Sequence, residues 1–460
     1  MSGLATIFRD LGFRVVGTDP RADTVRDMLR SRDISVFFEQ DGSRIPENAG
    51  LVVASAALST THPELMAAAR RGIPVISYAK CIGLLMSERR GVAVAGTHGK
   101  TTVTSMIVSV LKAAEIDPGF VIGGQIPALG SGAAAGSDEL FVAEACEYNR
   151  SFLNFYPDIA VITGIEADHL DVYGTLDNVK RAFFEFASHL PAETGKLVFS
   201  AACPNTAEVI APLTVEKISF GIEMDAEVAA RRLSPSPQGT SFELWLDGSF
   251  VCNAHLSVPG RHNVANALAA VAVLRIAGIE PQASVSKLQS FQGARRRFEL
   301  RGDVGGITVI DDYAHHPTEL GLLLSAARER FPGRRIVLAF QPHQYSRTLQ
   351  LMDAFAAAID GADEVLIPNV YYARDIKEDV ARFDPQVFKQ ILSAGGTPVS
   401  YLGTLDALRQ RLLEMLRPED VLITAGAGDI DTIIEPLLTA IPQRNIDAPK
   451  GKQPKTSSEQ

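Results

Sequence analysis

The sequence predicts an α/β protein that is built from parallel sheets and divided into three domains. Its 460 residues are too many for one ordinary hydrophobic core, so two or three domains are the starting expectation. In three successive stretches, short β-rich runs alternate with helical stretches, a rhythm typical of parallel strands with helices on both faces of the sheet. The predicted domains span residues 1–88, 89–298 and 299–442, and a polar, disordered tail follows at 443–460.

The first stretch predicts a small Rossmann-like domain of the nucleotide-binding type. A helix is expected at about Arg21 to Arg30, after a strand that ends in Gly17-Thr18-Asp19. The predicted strands are Phe13 to Val16, Ile34 to Phe38, Leu51 to Ala54 and Pro74 to Tyr78.

The central and C-terminal stretches predict a P-loop ATPase-type domain and a second Rossmann-like domain. The central stretch contains an antiparallel hairpin at Ala226 to Leu256, because an Asp247-Gly248 turn interrupts alternating apolar residues. Its helices are predicted at 101–114 and 263–277, and its strands at 91–95, 140–143, 159–163 and 196–200. The C-terminal strands are predicted at 307–310, 335–340, 364–367 and 421–424.

Composition excludes several classes of function. The formal net charge is −10 and the longest basic cluster, Arg295-Arg296-Arg297, suits a local phosphate contact rather than a nucleic-acid track. Four scattered cysteines with no C-x-x-C pair argue against a zinc site or a disulfide framework and fit a reducing cytosol. No signal peptide and no bilayer-spanning apolar run is apparent, so we expect a cytoplasmic protein without a membrane partner.

A glycine loop, Gly96-Thr97-His98-Gly99-Lys100-Thr101-Thr102, joins an apolar strand to a long helix. Backbone N–H groups and the positive end of a helix hold phosphate oxygens in loops of this kind. Lys100 is expected to reach the β- and γ-phosphates, and the Thr101 hydroxyl is expected to bind magnesium. The strict Walker pattern requires a glycine at the position of Val94, so Gly96 must provide the turn.

Two further residues are candidates for holding a metal ion beside this loop. Glu144 ends the apolar run Leu140 to Ala143, and strand ends are where ligands bind in parallel sheets. Magnesium prefers oxygen ligands, which makes Glu144 the stronger candidate. His169 follows the strand Ile159 to Thr163 and suits a second metal position, although a lone histidine is more often a structural one.

Six motifs follow one another along the chain, and Gly426-Ala427-Gly428-Asp429-Ile430 fits the same set. They are Gly96 to Thr102, Glu144 to Glu147, Thr163 to Asp171, Pro259 to Asn266, Asp311 to Glu319 and Phe340 to Thr348. Together they resemble the Mur ligase family, which builds the peptide of the peptidoglycan precursor. The last two motifs are most similar to the family member that adds the first amino acid.

The resemblance implies three domains that bind, in order, a UDP-sugar, ATP and the incoming amino acid. It implies ATP and Mg²⁺ as cofactors, UDP-N-acetylmuramate and L-alanine as substrates, and a monomer or dimer. The family's phosphate and metal residues match Lys100, Thr101, Glu144 and His169, and its adenine segment matches His262, Asn263 and Asn266. The arginine directed at the γ-phosphate matches Arg297. The positions around L-alanine match Tyr313, His315 and Arg347, and the remaining substrate residues are Asp19 and Ser55.

The chemistry explains these residue types. The lactyl carboxylate of the sugar attacks the γ-phosphate and gives an acyl phosphate, whose charge Lys100, Arg297 and magnesium would neutralise. The amine of alanine then displaces phosphate. Arg347 could hold the alanine carboxylate in a forked pair, and His315 could orient the amine or accept its proton.

Two departures from the family pattern stand out. Family members begin with a strand and a glycine-rich turn before Met-Ser-Gly-Leu-Ala, which here is Met1 to Ala5. We therefore expect that strand and turn to be absent, through a start codon placed too late, and the first sheet to have a free edge or a central gap. Gln344 stands where relatives often carry arginine, so one cation fewer is expected near the amino-acid site and Arg347 must provide more of the positive charge there.

Two alternatives remain open at the level of sequence. One is a recycling ligase that joins a preformed tripeptide to the same sugar. The other is a nucleotide-binding protein without turnover, for which the missing glycine turn is the only support.

Overall fold

The computed structural model describes residues 1–20 and 23–447, and the chain divides into two compact units. The first unit ends at Arg295 and the second begins at Arg296. The predicted N-terminal and central stretches therefore belong to one compact unit. None of the helices in the described ranges has the length and hydropathy needed to cross a membrane.

The first ninety residues contain two separate parallel pairs of strands. Strand β1 pairs with β2, and β3 pairs with β4, with no hydrogen-bonded strand between the pairs in the described residues. These four strands thus form two small sheets rather than one. The elements are α1 (Ser2–Asp10), β1 (Val16–Thr18), α2 (Asp23–Arg30), β2 (Ser35–Phe37), β3 (Val52–Ala54), α3 (Pro63–Arg70), β4 (Val75–Ser77) and α4 (Tyr78–Ser87).

The four strands predicted in this region are confirmed, but the first is shifted along the chain. Phe13 was placed in a strand and is instead 57% exposed in the turn after α1, where Gly12 adopts a φ of +88°. The strand begins only at Val16, the first residue that pairs with β2. Helix α1 was not predicted.

The rest of the first unit is built on a ten-stranded sheet in the order β14-β13-β12-β11-β10-β9-β5-β8-β6-β7. Its strands are β5 (Arg90–Ala95), β6 (Gly119–Ile126), β7 (Ser131–Ala134), β8 (Leu140–Glu144), β9 (Ile159–Ile162), β10 (Lys196–Ser200), β11 (Glu216–Ile222), β12 (Val228–Ser236), β13 (Gly239–Leu246) and β14 (Ser249–Leu256). Its helices are α5 (Lys100–Ala113), α6 (Leu170–Tyr173), α7 (Leu176–Ala187), α8 (Pro204–Ile210), α9 (Arg261–Ile276) and α10 (Pro281–Leu288).

Strand β5 lies in the middle of this sheet and is buried on both faces. Val92 and Val94 pack into one hydrophobic cluster, and Ala93 and Ala95 pack into another, as the two-residue period of a strand requires. Helices α5 and α9 cover the valine face. Burial on both faces explains why β5 is apolar after its exposed first residue, Arg90, and it fixes the point at which the glycine loop leaves the sheet.

The predicted hairpin is confirmed at β13 and β14. Leu246 pairs with Ser249 across a two-residue turn, and both turn residues, Asp247 and Gly248, have positive φ values of 48° and 78°. Asp-Gly is a preferred sequence for a turn with this geometry, because its twist matches that of the flanking strands.

The second unit is a six-stranded sheet in the order β15-β16-β20-β17-β18-β19. Strand β15 is antiparallel to β16, and the other pairs are parallel. The strands are β15 (Glu299–Val304), β16 (Ile307–Asp312), β17 (Ile336–Phe340), β18 (Glu364–Pro368), β19 (Val399–Gly403) and β20 (Val421–Ala425). The helices are α11 (Pro317–Arg330), α12 (Tyr345–Gln350), α13 (Met352–Ala358), α14 (Lys377–Arg382), α15 (Pro385–Ser393), α16 (Leu405–Met415) and α17 (Ile434–Asp447).

The four strands predicted for the second unit are the four inner ones, and the two edge strands were missed. Each inner strand carries a buried run of mainly apolar residues, whereas β15 consists of exposed and half-buried residues and contains no long apolar run. Helix α17 extends to Asp447, so residues 443–447 of the predicted tail are helical. The remainder of that prediction, residues 448–460, lies outside the described residues.

Candidate active site

The glycine loop between β5 and α5 has a backbone that only glycine accommodates at two positions. Gly96 and Gly99 have φ values of +133° and +82°. A β-carbon at Gly96 would lie 2.0 Å from Thr163 Oγ1, and one at Gly99 would lie 2.5 Å from Asn266 Oδ1. The structure therefore supports Gly96 as the turn residue that replaces the usual Walker glycine.

Lys100, the first residue of α5, lies across the loop. Its Nζ donates hydrogen bonds to Gly96 O at 2.6 Å and Thr97 O at 3.1 Å, and it lies 2.8 Å from Glu147 Oε2. Burial alone would lower the pKa of this ammonium group, but the Glu147 carboxylate outweighs burial and raises the pKa above its ordinary value. Lys100 is thus held charged within the predicted phosphate loop.

Glu147 is a site residue that the sequence reasoning did not assign. It is 3% exposed and neutralises Lys100. The signal that could have revealed it is its position three residues after Glu144, just beyond the carboxyl end of β8.

The predicted metal residues fall into two groups. The Thr101 hydroxyl donates to Glu144 Oε2 at 2.9 Å, and the same oxygen accepts from Gly123 N at 2.8 Å. His169 belongs to the second group, with Glu147 and Asp168. Its Nε2 lies 3.7 Å from Glu147 Oε1 and 3.7 Å from Asp168 Oδ2.

Both groups offer ligands that suit a divalent cation. The hydroxyl and carboxylate oxygens of Thr101 and Glu144 are the hard ligands that Mg²⁺ prefers. The ligand atoms of Glu147, Asp168 and His169 all lie within 4.8 Å of one another. The Lys100–Glu147 ion pair links the two groups, because Lys100 precedes Thr101.

The segment after β9 folds back against the glycine loop. Thr97 N donates to Gly164 O at 2.9 Å, and Glu166 N donates to Thr97 Oγ1 at 2.9 Å. His98 Nε2 lies 3.4 Å from Glu166 Oε2. Thr102, on the first turn of α5, is buried. The segment after β9 therefore contacts Thr97 and His98 of the predicted phosphate loop, whose last three residues, 100–102, form the first turn of α5.

The predicted adenine segment forms the start of α9 and packs against the glycine loop at Gly99. Asn263 Nδ2 donates to Pro259 O at 2.7 Å, and Asn266 Nδ2 donates to Asn263 Oδ1 at 3.3 Å. The Asn266 amide oxygen is the atom that faces Gly99. His262 lies on the same turn and is half-buried. A contact of these residues with adenine stays a prediction.

The two predicted sugar residues follow strands in the first ninety residues. Asp19 comes directly after β1, and its N–H donates to Phe37 O at 2.9 Å. Ser55 comes directly after β3, and its Oγ accepts from Ala57 N at 3.3 Å. Both therefore lie at carboxyl ends of parallel strands, where ligands bind in folds of this class.

The predicted amino-acid residues Tyr313, His315 and Arg347 form one cluster with Arg297, the predicted γ-phosphate arginine, beyond the carboxyl ends of β16 and β17. The Arg297 guanidinium lies 5.4 Å from the centre of the Tyr313 ring, and that ring lies 5.4 Å from the His315 ring. His315 in turn lies 6.0 Å from the His343 ring, and His343 Nδ1 lies 3.4 Å from Arg347 Nη1. Residues from two of the motifs and from the basic cluster at 295–297 thus meet in one place.

Two members of this cluster were not assigned from the sequence. His343 connects His315 to Arg347. Glu319, on α11, accepts from His315 N at 3.1 Å, lies 3.4 Å from His315 Nδ1 and lies 3.8 Å from Arg297 Nη1. Both stand inside motifs that the sequence had singled out, so motif membership was the available signal.

Gln344 faces away from this cluster. It is 3% exposed, has a φ of +70°, and its Nε2 donates to Ala373 O at 3.1 Å. Its amide therefore ties two loops together. Arg347 is 8% exposed and carries the cationic group at this end of the motif.

Asp312, the last residue of β16, is a buried carboxylate beside the cluster. Its two oxygens accept from Phe298 N and Ala314 N, both at 2.7 Å. Burial raises the pKa of Asp312 to about 6, although Arg297 and the two hydrogen bonds act in the opposite direction.

This raised pKa predicts a pH dependence of stability. Because the folded protein binds the proton up to about pH 6 and the unfolded chain only to its ordinary pKa of 3.8, stability falls as pH rises through that window. The full loss for Asp312 is on the order of 3 kcal/mol at about 1.4 kcal/mol per pKa unit. We expect the melting temperature of Asp312→Asn to fall less steeply than that of the wild type over this range.

An exposed carboxylate provides the matched control. Asp360 is exposed two residues after the end of α13, and Asp360→Asn should follow the wild-type melting curve at every pH. Parallel pH profiles for the wild type and Asp312→Asn would contradict the assignment, even if the variant is uniformly less stable.

Comparison with known domain families accounts for most of the chain. Residues 1–90 match the Mur ligase family catalytic domain, residues 94–274 match the Mur ligase middle domain, and residues 296–428 match the Mur ligase glutamate ligase domain. The fold class predicted from the sequence is confirmed by these matches and by the sheets of both units.

Individual relatives match over nearly the full length. The chain is 38% identical to UDP-N-acetylmuramate–L-alanine ligase of Caldanaerobacter subterraneus subsp. tengcongensis, covering 95% of each chain. It is 39% identical to the enzyme of the same name from Burkholderia multivorans, covering 94% of this chain and 93% of the relative. The crystal structure of UDP-N-acetylmuramate-alanine ligase from Thermotoga maritima superposes with a TM-score of 0.81 at 26% identity, covering 96% and 97% of the two chains. On this evidence the chain belongs to the Mur ligase family, as its motifs indicated.

Proposed function

We propose that this protein joins L-alanine to the lactyl carboxylate of UDP-N-acetylmuramate, with ATP converted to ADP and phosphate. The observation that carries the proposal is near full-length identity to relatives that bear the name of this activity. Such a reaction belongs to peptidoglycan precursor synthesis and would take place in the cytoplasm. We further propose that residues 1–88 serve the UDP-sugar, residues 89–298 serve ATP and residues 299–442 serve the amino acid.

The first step of the proposed reaction activates the carboxylate. A lactyl oxygen attacks the γ-phosphorus, the bond to the bridging oxygen breaks, and ADP leaves with that electron pair. Lys100 is already charged and would stabilise the negative charge on the phosphoryl group during its transfer. A divalent cation held by Thr101 and Glu144, or by the His169 group, would supply further positive charge there.

The second step forms the amide bond. The alanine nitrogen attacks the acyl carbonyl carbon, and phosphate leaves as the tetrahedral intermediate collapses. Arg347 would hold the alanine carboxylate. The attacking amine must lose a proton, and His315 would accept it, since imidazole is the side chain that most often acts as a general base and the ring is oriented by Tyr313 O, 2.9 Å from its Nδ1. Arg297 remains the proposed partner of the γ-phosphate.

A phosphate-release assay with full-length protein tests this function. With ATP, Mg²⁺ and UDP-N-acetylmuramate present, we expect phosphate only when L-alanine is added, together with a product that is heavier by one alanine residue. Chelation of the metal should stop the reaction.

Three other results would direct the assignment elsewhere. Phosphate release that ignores the amino acid would exclude alanine ligation. Release that requires the tripeptide L-alanyl-γ-D-glutamyl-meso-diaminopimelate instead of L-alanine would identify a recycling ligase. ATP binding without any turnover would identify a nucleotide-binding protein.

A further inference from the structure

A short segment, residues 371–375, is hydrogen-bonded to the motif Phe340 to Thr348, which carries Arg347. We call this segment the clasp. It lies between β18 and α14. Tyr371 N donates to Pro342 O at 2.8 Å, and Gln344 N donates to Tyr371 O at 3.1 Å. The Gln344 side chain adds a third hydrogen bond, to Ala373 O. The clasp and the motif are therefore joined along several residues.

Asp375 ends the clasp and makes its most concentrated set of contacts. The residue is 8% exposed. One carboxylate oxygen accepts from Tyr345 N at 2.8 Å and from Ser346 N at 3.2 Å, and the other accepts from Ala373 N at 3.1 Å. Tyr345 and Ser346 are the first two residues of α12, so Asp375 satisfies amides that the helix itself leaves unpaired.

Two routes lead from this carboxylate to Arg347. The first is helix α12, because Arg347 follows directly after the two amides that Asp375 binds. The second passes through the clasp, where the Tyr371 ring stacks on His343 with centroids 5.5 Å apart and planes 12° apart. His343 Nδ1 lies 3.4 Å from Arg347 Nη1.

We propose that Asp375 is a positioning residue for the amino-acid substrate, one that sets the geometry of Arg347 without touching the substrate. The identity of that substrate as L-alanine rests on the function proposed above. Helix α12 has only six residues and gains little stability of its own, so its first turn depends on an external acceptor. The negative charge of Asp375 also faces the positive end of the helix, where it is stabilising.

Loss of the carboxylate would leave three N–H groups unpaired and loosen the first turn of α12. Arg347 would then have to be ordered when alanine binds, which weakens binding without altering the chemistry at the phosphate. We expect Asp375→Ala to raise the KM for L-alanine about tenfold, because a factor of ten corresponds to about 1.4 kcal/mol, which lies within the range of stability that a helix loses with its cap. Asp375→Asn keeps one acceptor oxygen and should give an intermediate KM.

Kinetic controls separate positioning from general damage. The kcat and the KM for ATP should change by less than about twofold, since neither depends on the contact with alanine. Glu378, an exposed residue at the start of α14, is the matched control, and Glu378→Ala should leave the KM for L-alanine unchanged. A uniform fall in kcat with an unchanged KM for L-alanine would show that Asp375 is merely structural and would overturn the proposal.

Hydrogen exchange provides a second readout that needs no substrate. Amide exchange measured on full-length protein should be faster in Asp375→Ala than in wild type at Tyr345 and Ser346, and unchanged in Glu378→Ala. If the wild type does not use L-alanine, the proposed function fails, and the exchange result still decides whether Asp375 orders α12. Unchanged exchange in Asp375→Ala would overturn the proposal in either case.

Discussion

Replacing Lys100 by alanine should lower the rate of phosphate release by about 10³-fold or more, the scale on which loss of a preorganised charge affects phosphoryl transfer. Lys100 Nζ is held by two loop carbonyl oxygens and Glu147, and its raised pKa keeps it charged. Residues 96–102, which form the loop and are all described, contain no other lysine. We expect the loss to appear in kcat, measured at saturating concentrations of all three substrates.

Folding must be controlled in this experiment, because Lys100→Ala leaves the Glu147 carboxylate, which is 3% exposed, without its lysine partner. Breaking a buried ion pair from one side typically costs about 3–5 kcal/mol. The double variant Lys100→Ala/Glu147→Gln removes both charges, so it should recover much of the melting temperature but none of the activity. Lys112→Ala, at the far end of α5, is the matched control and should retain wild-type rates. An active double variant would show that Lys100 has no part in catalysis.

Replacing Arg347 by alanine should lower kcat/KM for L-alanine by about 100-fold or more, since charge-assisted, forked hydrogen bonds to a carboxylate are among the strongest polar contacts. Arg347 is largely buried within the cluster that includes His343. The effect should appear mainly as a higher KM for L-alanine, measured by initial rates of phosphate release. Arg347→Lys keeps the charge but loses the planar fork, so we expect it to recover only part of the affinity.

A surface arginine of the same unit serves as the control. The Arg382 side chain, on α14, is 72% exposed and lies 3.7 Å from Asp379, so Arg382→Ala should behave as wild type. If Arg347→Ala raises the KM for ATP and the KM for L-alanine equally, the arginine does not bind the amino acid specifically. A normal melting temperature is required before either result is interpreted.

The sequence predicted the inner strands of the second unit, strand β5 and the glycine loop, because these features are encoded locally, whereas β6 and β11 of the ten-stranded sheet were missed. Strand β5 is apolar on both faces, and Asp247-Gly248 fits the turn it occupies. Strand β15 was missed because its half-exposed residues show no strong period. Phe13 was misplaced because its apolar side chain resembles a strand residue, although it lies in an exposed turn.

The contacts within the site depend on sheet order, which the sequence does not contain. Tyr313 and Arg347 follow β16 and β17, two strands separated by β20, which comes last in the chain. Their joint contacts through His343 could therefore be assigned only once the order was known. Similarly, Glu147 was visible as an acidic residue near Glu144, but its pairing with Lys100 requires coordinates.

The ion pair between Lys100 and Glu147 also bears on which nucleotides can compete for the loop. A ligand gains from Lys100 only if it offers negative charge that replaces the Glu147 carboxylate, since the ammonium is already neutralised. A nucleoside without phosphates offers none and would leave the pair intact, whereas a triphosphate presents several charged oxygens at once. We therefore expect the resting loop to favour the highly charged form of the nucleotide, before any contact with the base is made.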